Sequence, residues 1–346
     1  MGGRGSKLQP ALPVGKLDLD LMADLLESVQ AHDASVIVGP GVGQDVAVLD
    51  AGAADHYLLA KTDPITFATD AIGYYAVNVN ANDIATSGGL PRWFLGTLLL
   101  PEGGADLDLA RGIFRQIHEA CAALGVVLVG GHTEVTYNLD RPILVGAMLG
   151  EAPKDRVITS AGAQVGDRVL LTKGIAVEGT SILAREMGDQ LRERGYDEQV
   201  LRAARDLLYQ PGISVLREAQ VAVNTARVHA MHDPTEGGVA TGLHELALAS
   251  RVGLAIEQAR IPVLPLTARL CADFELAPLG LLASGSLLIA AEPGAAARIV
   301  QGCLAERIAC VDIGEVTPAA DGVRLLRDGG WVDLPRYDQD EIARLF

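Results

Sequence analysis

Aromatic side chains are scarce in this sequence. Phe, Trp and Tyr together make up 4% of the 346 residues, too few for the stacking platforms on which single-stranded nucleic acid binds. Basic charge is short as well. Lys and Arg number 28 against 44 Asp and Glu, for a formal net charge of −16. That is the wrong sign for a nucleic acid or an anionic membrane surface. No apolar run approaches the roughly 18 residues of a spanning helix. The opening MGGRGSKLQP lacks the apolar stretch of a signal peptide. The four cysteines, Cys121, Cys271, Cys303 and Cys310, form no CxxC pair and lie in apolar surroundings. They read as buried reduced thiols, not as a zinc site. These absences leave a cytoplasmic enzyme as the simplest class.

What is abundant is apolar residues, at 49%, and glycine, at 39 positions. The length predicts two domains. The most informative stretch runs from Val77 to Pro91, VNVNANDIATSGGLP. It reads as a helix stopped at Gly88-Gly89, with Pro91 just beyond. Asparagine is a mediocre helix former, yet three fall within five residues. Asn78 and Asn82 share one face, with Asp83 beside it. Such a face is either solvated or turned inward onto a metal-phosphate.

Other acidic turns favour the inward face. Val36 to Asp50, VIVGPGVGQDVAVLD, carries Gly39, Gly41 and Gly43. A dinucleotide fingerprint needs a helix straight after its glycines. Here Val46 to Leu49 reads as a strand instead, and Asp45 stands at the exit of a glycine loop. A second strand, Tyr57 to Ala60, runs into Lys61-Thr62-Asp63-Pro64. Each Asp alone is an ordinary turn residue; with Asp83 they suggest a site. Residues 106–124 read as an amphipathic helix. A buried strand, Val126–Val129, then opens into Gly130-Gly131-His132-Thr133-Glu134. A double glycine there lets backbone approach a ligand, with His132 and Glu134 directed into the same space. His132 also has a plain structural reading, as a hydrogen-bonded histidine.

Residues 150–166 are polar and contain Pro and Gly, and mark the expected domain boundary. Strand and helix patterns alternate beyond it. HDPTEGG, from His232 to Gly238, precedes a helix from about Val239. A glycine-rich turn at a helix start suits an anion, although an acidic first turn explains it too. The expected division is a mobile arm over 1–16, a first domain over 17–155 and a second over 156–346. The last stretch, from Asp338 to Leu345, reads as a docked amphipathic helix.

In order along the chain, GVGQDVAVLD, KTDP, NANDIATSGGLP, VGGHTE, MHDPTEGGVATGLHELA and LASGSLLIA resemble a known superfamily. Its members include aminoimidazole ribonucleotide (AIR) synthetase (PurM), selenophosphate synthetase, thiamine-monophosphate kinase and the hydrogenase maturation factor HypE. The HDPTEGG and LASGSLLIA stretches look most like HypE and AIR-synthase-related proteins. The resemblance covers roughly residues 14–318. It implies an α/β (α+β) fold in two domains. The first is a four-stranded sheet with helices on one face, which two copies pair into a barrel-like homodimer. The second resembles the PurM C-terminal domain.

Carried over motif by motif, Asp45, Asp63, Asp83 and Asp233 look like the Mg²⁺–ATP carboxylates. Gly41, Gly43, Asn82, Gly130, Gly131, Thr133, Gly237 and Gly238 look like nucleotide-lining positions. Lys16 falls where relatives carry a GK near an N-terminal lid. His132, Asp83 and Lys16 are the implied catalytic groups. Some family features differ. Gln44 precedes Asp45 where two adjacent acids are common, and GGHTE replaces the usual GGDT. HypE carries its carbamoyl-derived group on a terminal Cys, whereas the last Cys here is Cys310. No adduct is therefore expected on the 331–346 stretch. The implied activity is Mg²⁺-dependent phosphorylation by ATP of an oxygen, amide- or carbamoyl-like, on a small molecule or a maturation partner. A small-molecule kinase of the thiamine-monophosphate type and a non-catalytic nucleotide-binding maturation partner are the alternatives, and turnover separates them.

Overall fold

A computed structural model of the chain describes residues 17, 19–27, 33–66, 70–337 and 339–345. Lys16 and the arm over 1–16 lie outside the described residues, as do Asp338 and Phe346.

Ile143–Pro153 shows why the first half forms a sheet. Its residues alternate half-buried and buried along the whole strand, the period-two pattern of a sheet with one covered face. The first half comprises α1 (Leu19–Glu27), β1 (Val36–Val38), β2 (Ala47–Leu49), β3 (His56–Ile65), α2 (Ile72–Thr86), β4 (Leu90–Pro101), α3 (Leu107–Leu124), β5 (Val127–Thr136) and β6 (Ile143–Pro153). Among the described residues the sheet order is β1-β2-β3-β6-β4-β5. The four long strands β3 to β6 are its body, and the three-residue β1 and β2 extend one edge. Helix α3 begins where Asp106 accepts the Leu109 N–H and ends at Gly125 in the left-handed conformation, the usual pair of stop signals.

The second half comprises β7 (Arg168–Thr172), α4 (Val177–Glu186), α5 (Gly188–Glu193), α6 (Glu198–Asp206), α7 (Leu216–Thr225), β8 (Ala230–His232), α8 (Gly238–Ser250), β9 (Gly253–Glu257), α9 (Pro265–Asp273), β10 (Leu288–Ala291), α10 (Pro293–Ala305), β11 (Cys310–Thr317), β12 (Val323–Arg327) and β13 (Gly330–Asp333). Its sheet runs β13-β12-β9-β11-β7-β10-β8 among the described residues. The stretch expected to be a terminal amphipathic helix is a short 3₁₀ turn, Glu341–Leu345. Its Ile342 is fully buried in the core. Among the described residues no helix is long and apolar enough to cross a membrane.

Helix α2 joins the halves. Nearly every residue from Ile72 to Thr86 is buried, between β3, β4 and β6 on one side and α3, α7 and β8 on the others. Burial on all sides explains its asparagines. Asn80 accepts from the Asp63 N–H at 2.9 Å and donates to Ala76 O at 2.8 Å. Asn82 donates to Ile213 O and accepts from the Val215 N–H, both at 2.8 Å. Through the Asp63 N–H and the loop at Ile213 and Val215, these amides tie α2 to β3 and to the segment before α7. Asn82→Ala strands one buried carbonyl and one buried N–H, and is expected to cost about 2–4 kcal/mol. Urea denaturation measures it; a cost near zero would show that water replaces the amide.

Candidate active site

A cavity of about 490 Å³ lies where the two halves meet. Asp45, Lys61, Asp63 and Asp83 reach it from the first half, and Glu178, His232, Asp233 and Ser284 from the second. Lys61 and Asp63 are two apart on β3, so both side chains leave the strand on one face. Asp83 comes from α2. Asp45 sits between the glycine turn and β2, and Asp233 directly follows β8.

Lys61 is the local cation. Its Nζ lies 3.1 Å from Asp83 Oδ1 and 3.2 Å from Asp63 Oδ2. Burial alone depresses a lysine pKa, but the Asp83, Asp63, Asp45 and Asp233 carboxylates outweigh it and hold Lys61 protonated. One ammonium does not neutralise four carboxylates. Burial, then the charges of Asp233, Asp63 and Asp45, pushes Asp83 well above the usual carboxylate range against the pull of Lys61. Burial and the neighbouring Asp45 do the same to Asp233. Asp83 Oδ2 and Asp233 Oδ2 are buried with no hydrogen-bond partner.

His232 is the second counter-charge. Its Nδ1 lies 2.9 Å from Asp45 Oδ1, and its Nε2 lies 2.9 Å from Glu245 Oε2. Burial depresses an imidazole, but the two carboxylates prevail and raise His232 well above its ordinary value. With a carboxylate on each nitrogen, the ring donates from both. Ser160 Oγ donates to Asp45 Oδ2 at 3.2 Å. His232 thus ties the first half to α8.

The residues fit a hard divalent cation. Asp45 and Asp233 bring carboxylate oxygens within 4.8 Å of each other, and His232, with a carboxylate on each ring nitrogen, stands beside them as a counter-charge. The two orphaned oxygens of Asp83 and Asp233 are acceptors awaiting a positive partner. An oxygen-rich donor set of this kind suits Mg²⁺, with Lys61 and His232 as fixed counter-charges.

The expected carboxylates Asp45, Asp63, Asp83 and Asp233 therefore share one cavity. Other expected site residues lie elsewhere. The strand after α3 does not open at Gly130-Gly131. It runs on to Thr136, because β5 pairs parallel with β4 and sets Gly130 against Leu95 and Gly131 against Gly96. A Cβ on Gly131 would lie 2.0 Å from Gly96 O, so this glycine serves strand-to-strand approach. His132, Thr133 and both glycines stand exposed on that edge strand, away from the cavity lining. His132 Nε2 lies 3.2 Å from Glu134 Oε2, so His132 is not the acid or base of this cavity within one chain.

Asn82 does not line the cavity, since its amide is committed to backbone. Gly41 and Gly43 are also absent from the lining. Gly43 has φ +72° and packs against the Glu245 carbonyl of α8. Gly237 and Gly238 do not offer free N–H groups to an anion. The first donates to Asp340 Oδ2 at 2.8 Å and the second to Thr235 O at 3.1 Å.

Sequence inspection missed Lys61, His232 and Glu178. The signal for Lys61 was its two-residue spacing from Asp63. Glu178 had a weaker one: a strand, a glycine turn and then a helix, with the acid in the first turn. Glu178 is buried and pushed up to about 7, chiefly by burial and then by Glu236 and Asp340. Asp340 is likewise pushed up to about 7, chiefly by burial. A carboxyl whose folded pKa exceeds its unfolded value binds more protons when folded. Its stabilising contribution is complete below the unfolded pKa and is lost as pH rises to the folded one. Stability is therefore expected to fall between about pH 4 and pH 7. Glu178→Gln should flatten that slope, as read by denaturation at pH 5 and pH 8. An unchanged slope would mean that Glu178 is hydrated and ordinary.

The fold and cavity define a two-domain α+β protein with an acid-lined cleft between its halves. Residues 43–152 match the family model "AIR synthase related protein, N-terminal domain", and residues 164–326 match "AIR synthase related protein, C-terminal domain". The chain belongs to the AIR synthase related family, the PurM superfamily. It is similar to the carbamoyl dehydratase HypE of Cupriavidus necator, at 30% identity over 75% of this chain and 68% of that protein. HypE of Rhizobium leguminosarum bv. viciae is 29% identical over 69% of this chain, and the match spans 65% of that relative's length. In fold it resembles hydrogenase maturation protein HypE in complex with ATP. That likeness has a TM-score of 0.68 and 24% identity, over 92% of this chain and 90% of that one. It also resembles AaThiL complexed with AMPPCP and TMP, with a TM-score of 0.69 and 23% identity, over 92% and 94% of the two chains.

Proposed function

We propose that the chain is an ATP- and Mg²⁺-dependent enzyme of the HypE-like type. It binds the nucleotide phosphates at the Asp45–Asp63–Asp83–Asp233 end of the cleft and passes the γ-phosphoryl group to an oxygen of an amide- or carbamoyl-like acceptor. One observation carries this: Asp83 and Asp233 line one cavity with Asp45 and Asp63, and each of the two has a buried carboxylate oxygen with no partner. Carboxylates gathered this way repel one another unless a cation joins them. The ATP and AMPPCP bound in the two folds named above support the nucleotide. When bound, Mg²⁺ supplies neutralisation of phosphate charge. The protein's own part is positioning. Lys61 stands beside Asp63 and Asp83 as the local positive charge, and His232 fixes Asp45. Residues 17–155 supply most of the phosphate end, and 156–346 close it.

The same reading includes a homodimer. Val127, Leu128, Val129 and Val135 are exposed apolar residues on the edge strand β5. An exposed apolar edge of this kind is normally covered. Covering it with a second copy would also cover His132 and Thr133. A maturation partner delivering the acceptor fits the HypE likeness.

Calorimetry with Mg²⁺ and AMPPCP tests the nucleotide assignment. Asp45→Asn, Asp63→Asn and Asp83→Asn are each expected to weaken binding. Unchanged affinity in all three variants would sink the site. Steady ADP formation separates an enzyme from a binding partner that holds ATP without turnover.

A further inference from the structure

We propose that a second cavity, on the segment that links the two halves, binds a small phosphate monoester with a hydroxyl-bearing body. Arg156, Arg227 and His229 hold the phosphate. This inference is independent of the nucleotide reading above.

The cavity measures about 580 Å³ and shares no lining residue with the acid-lined cleft. Small-molecule sites span roughly 300–1,000 Å³, so the space suits a metabolite and exceeds what a bare phosphate fills. Its walls come from residues 155–164, in the connection between β6 and β7, and from residues 223–229, which run from the last turn of α7 to the start of β8.

His229 is the fixed point of the cavity. Its Nδ1 lies 2.9 Å from both carboxylate oxygens of Asp167. Asp167 is 3% exposed and also accepts the Gln164 N–H at 2.8 Å, so the carboxylate that aims the ring is itself held. The His229 side chain is 11% exposed and lines the cavity. Its Nε2 has no hydrogen-bond partner among the described residues, which leaves that nitrogen to a ligand. A doubly protonated ring donates to Asp167 from one nitrogen and to a phosphate oxygen from the other.

Arg156 and Arg227 line the same cavity and are exposed. Among the described residues neither has an ion-pair partner, whereas Arg168, Arg185, Arg192, Arg205 and Arg217 each hold a carboxylate. In a chain with 44 acids against 28 Lys and Arg, two unpaired guanidinium groups on one cavity favour an anion and oppose a metal cation at the imidazole. Guanidinium also matches phosphate oxygens two at a time. The rest of the lining suits a different kind of group. Asp155 lines the cavity, as do Val223, Asn224 and Thr225 at the C-terminal end of α7. A helix ends on carbonyls that lack intrahelical donors, and these accept from hydroxyls, as does the Asp155 carboxylate. The ligand therefore carries an anionic head and a body that donates hydrogen bonds.

The test titrates glucose 6-phosphate, inorganic phosphate and glucose into the full chain by calorimetry. Wild type is expected to bind glucose 6-phosphate with a Kd of about 1 mM or tighter, at least about tenfold more tightly than inorganic phosphate and with glucose weaker still. Arg156→Gln and Arg227→Gln alter exposed, unpaired side chains and should leave the fold intact. Each should lose about tenfold in affinity, the worth of one charge-assisted hydrogen bond. On binding, the ring nitrogen signals of His229 should shift in ¹⁵N spectra. Phenylglyoxal labelling read by peptide mass locates the ligand: glucose 6-phosphate should protect Arg156 and Arg227 and leave Arg141, which lines the cleft, as reactive as before. Protection of Arg141 instead places the ligand in the cleft and overturns the site. Absence of binding, or unchanged affinity in both arginine variants, overturns it too. Inorganic phosphate binding as tightly as the ester overturns the choice of a monoester, and glucose binding as tightly overturns the phosphate clamp. An unmoved His229 removes the imidazole from that clamp.

Discussion

Lys61→Met is expected to destabilise the metal-free protein by about 3 kcal/mol at pH 8, because it removes one partner of a largely buried charge group. The Nζ lies 3.1 Å from Asp83 and 3.2 Å from Asp63, and methionine fills the stem without the charge. Asp83 already sits well above the usual carboxylate range through burial and its acidic neighbours. Without the ammonium it ionises with still more difficulty. The loss should therefore shrink at pH 5, where protons take the place of the lysine. It should also shrink on adding Mg²⁺, since carboxylates that have lost the ammonium hold the cation more tightly than wild type does, and tighter binding stabilises the folded variant more. Chemical denaturation at two pH values, with and without Mg²⁺, reads all three effects. A loss independent of pH would mean that Lys61 contributes packing alone. A loss untouched by Mg²⁺ would separate the lysine from the cation site.

The meeting of the carboxylates was legible because acids placed at the ends of separate elements have few structural uses in common. Asp45, Asp63 and Asp83 follow a glycine turn, close a strand and end a polar helix, and chain topology brings them to one cleft. The asparagines beside Asp83 carried a similar signal with a different cause. Helix-interior polarity announces burial among groups needing hydrogen bonds, and it does not distinguish a ligand from a neighbouring backbone. Asn82 met the loop at Ile213 and Val215, 131 and 133 residues away in sequence, a pairing no local pattern encodes. Gly130-Gly131 failed for a related reason. Glycine marks close approach, but here the approaching backbone is Gly96 of the neighbouring strand. His232 depends on Asp45 across the halves and Glu178 on Ser284, Glu236 and Asp340, all distant from it in sequence, so neither role shows in a local pattern.

Asp233→Asn is expected to move stability and binding in opposite directions. Asp233 is buried, its Oδ2 has no donor, and Asp45 and Asp63 add repulsion. Asparagine has nearly the same shape, removes the charge and supplies an N–H to a neighbouring carboxylate. The metal-free variant should therefore be more stable than wild type by about 1–3 kcal/mol at pH 8, the cost of one unsatisfied buried acceptor. Binding should suffer, because a carboxylate lost from the cation's oxygen shell is not replaced by an amide of equal charge. At an AMPPCP concentration about 100 times the wild-type Kd, wild type gains about 2.7 kcal/mol from ligand. With affinity reduced about 100-fold, the variant would gain only about 0.4 kcal/mol. Thermal melts of both proteins, with and without Mg²⁺–AMPPCP, should therefore show the variant higher in the bare state and less shifted by ligand. A variant that melts lower without ligand would show that Asp233 is structurally paired, against the orphaned oxygen. Equal ligand shifts would remove Asp233 from the cation site and leave Asp45, Asp63 and Asp83 to hold it.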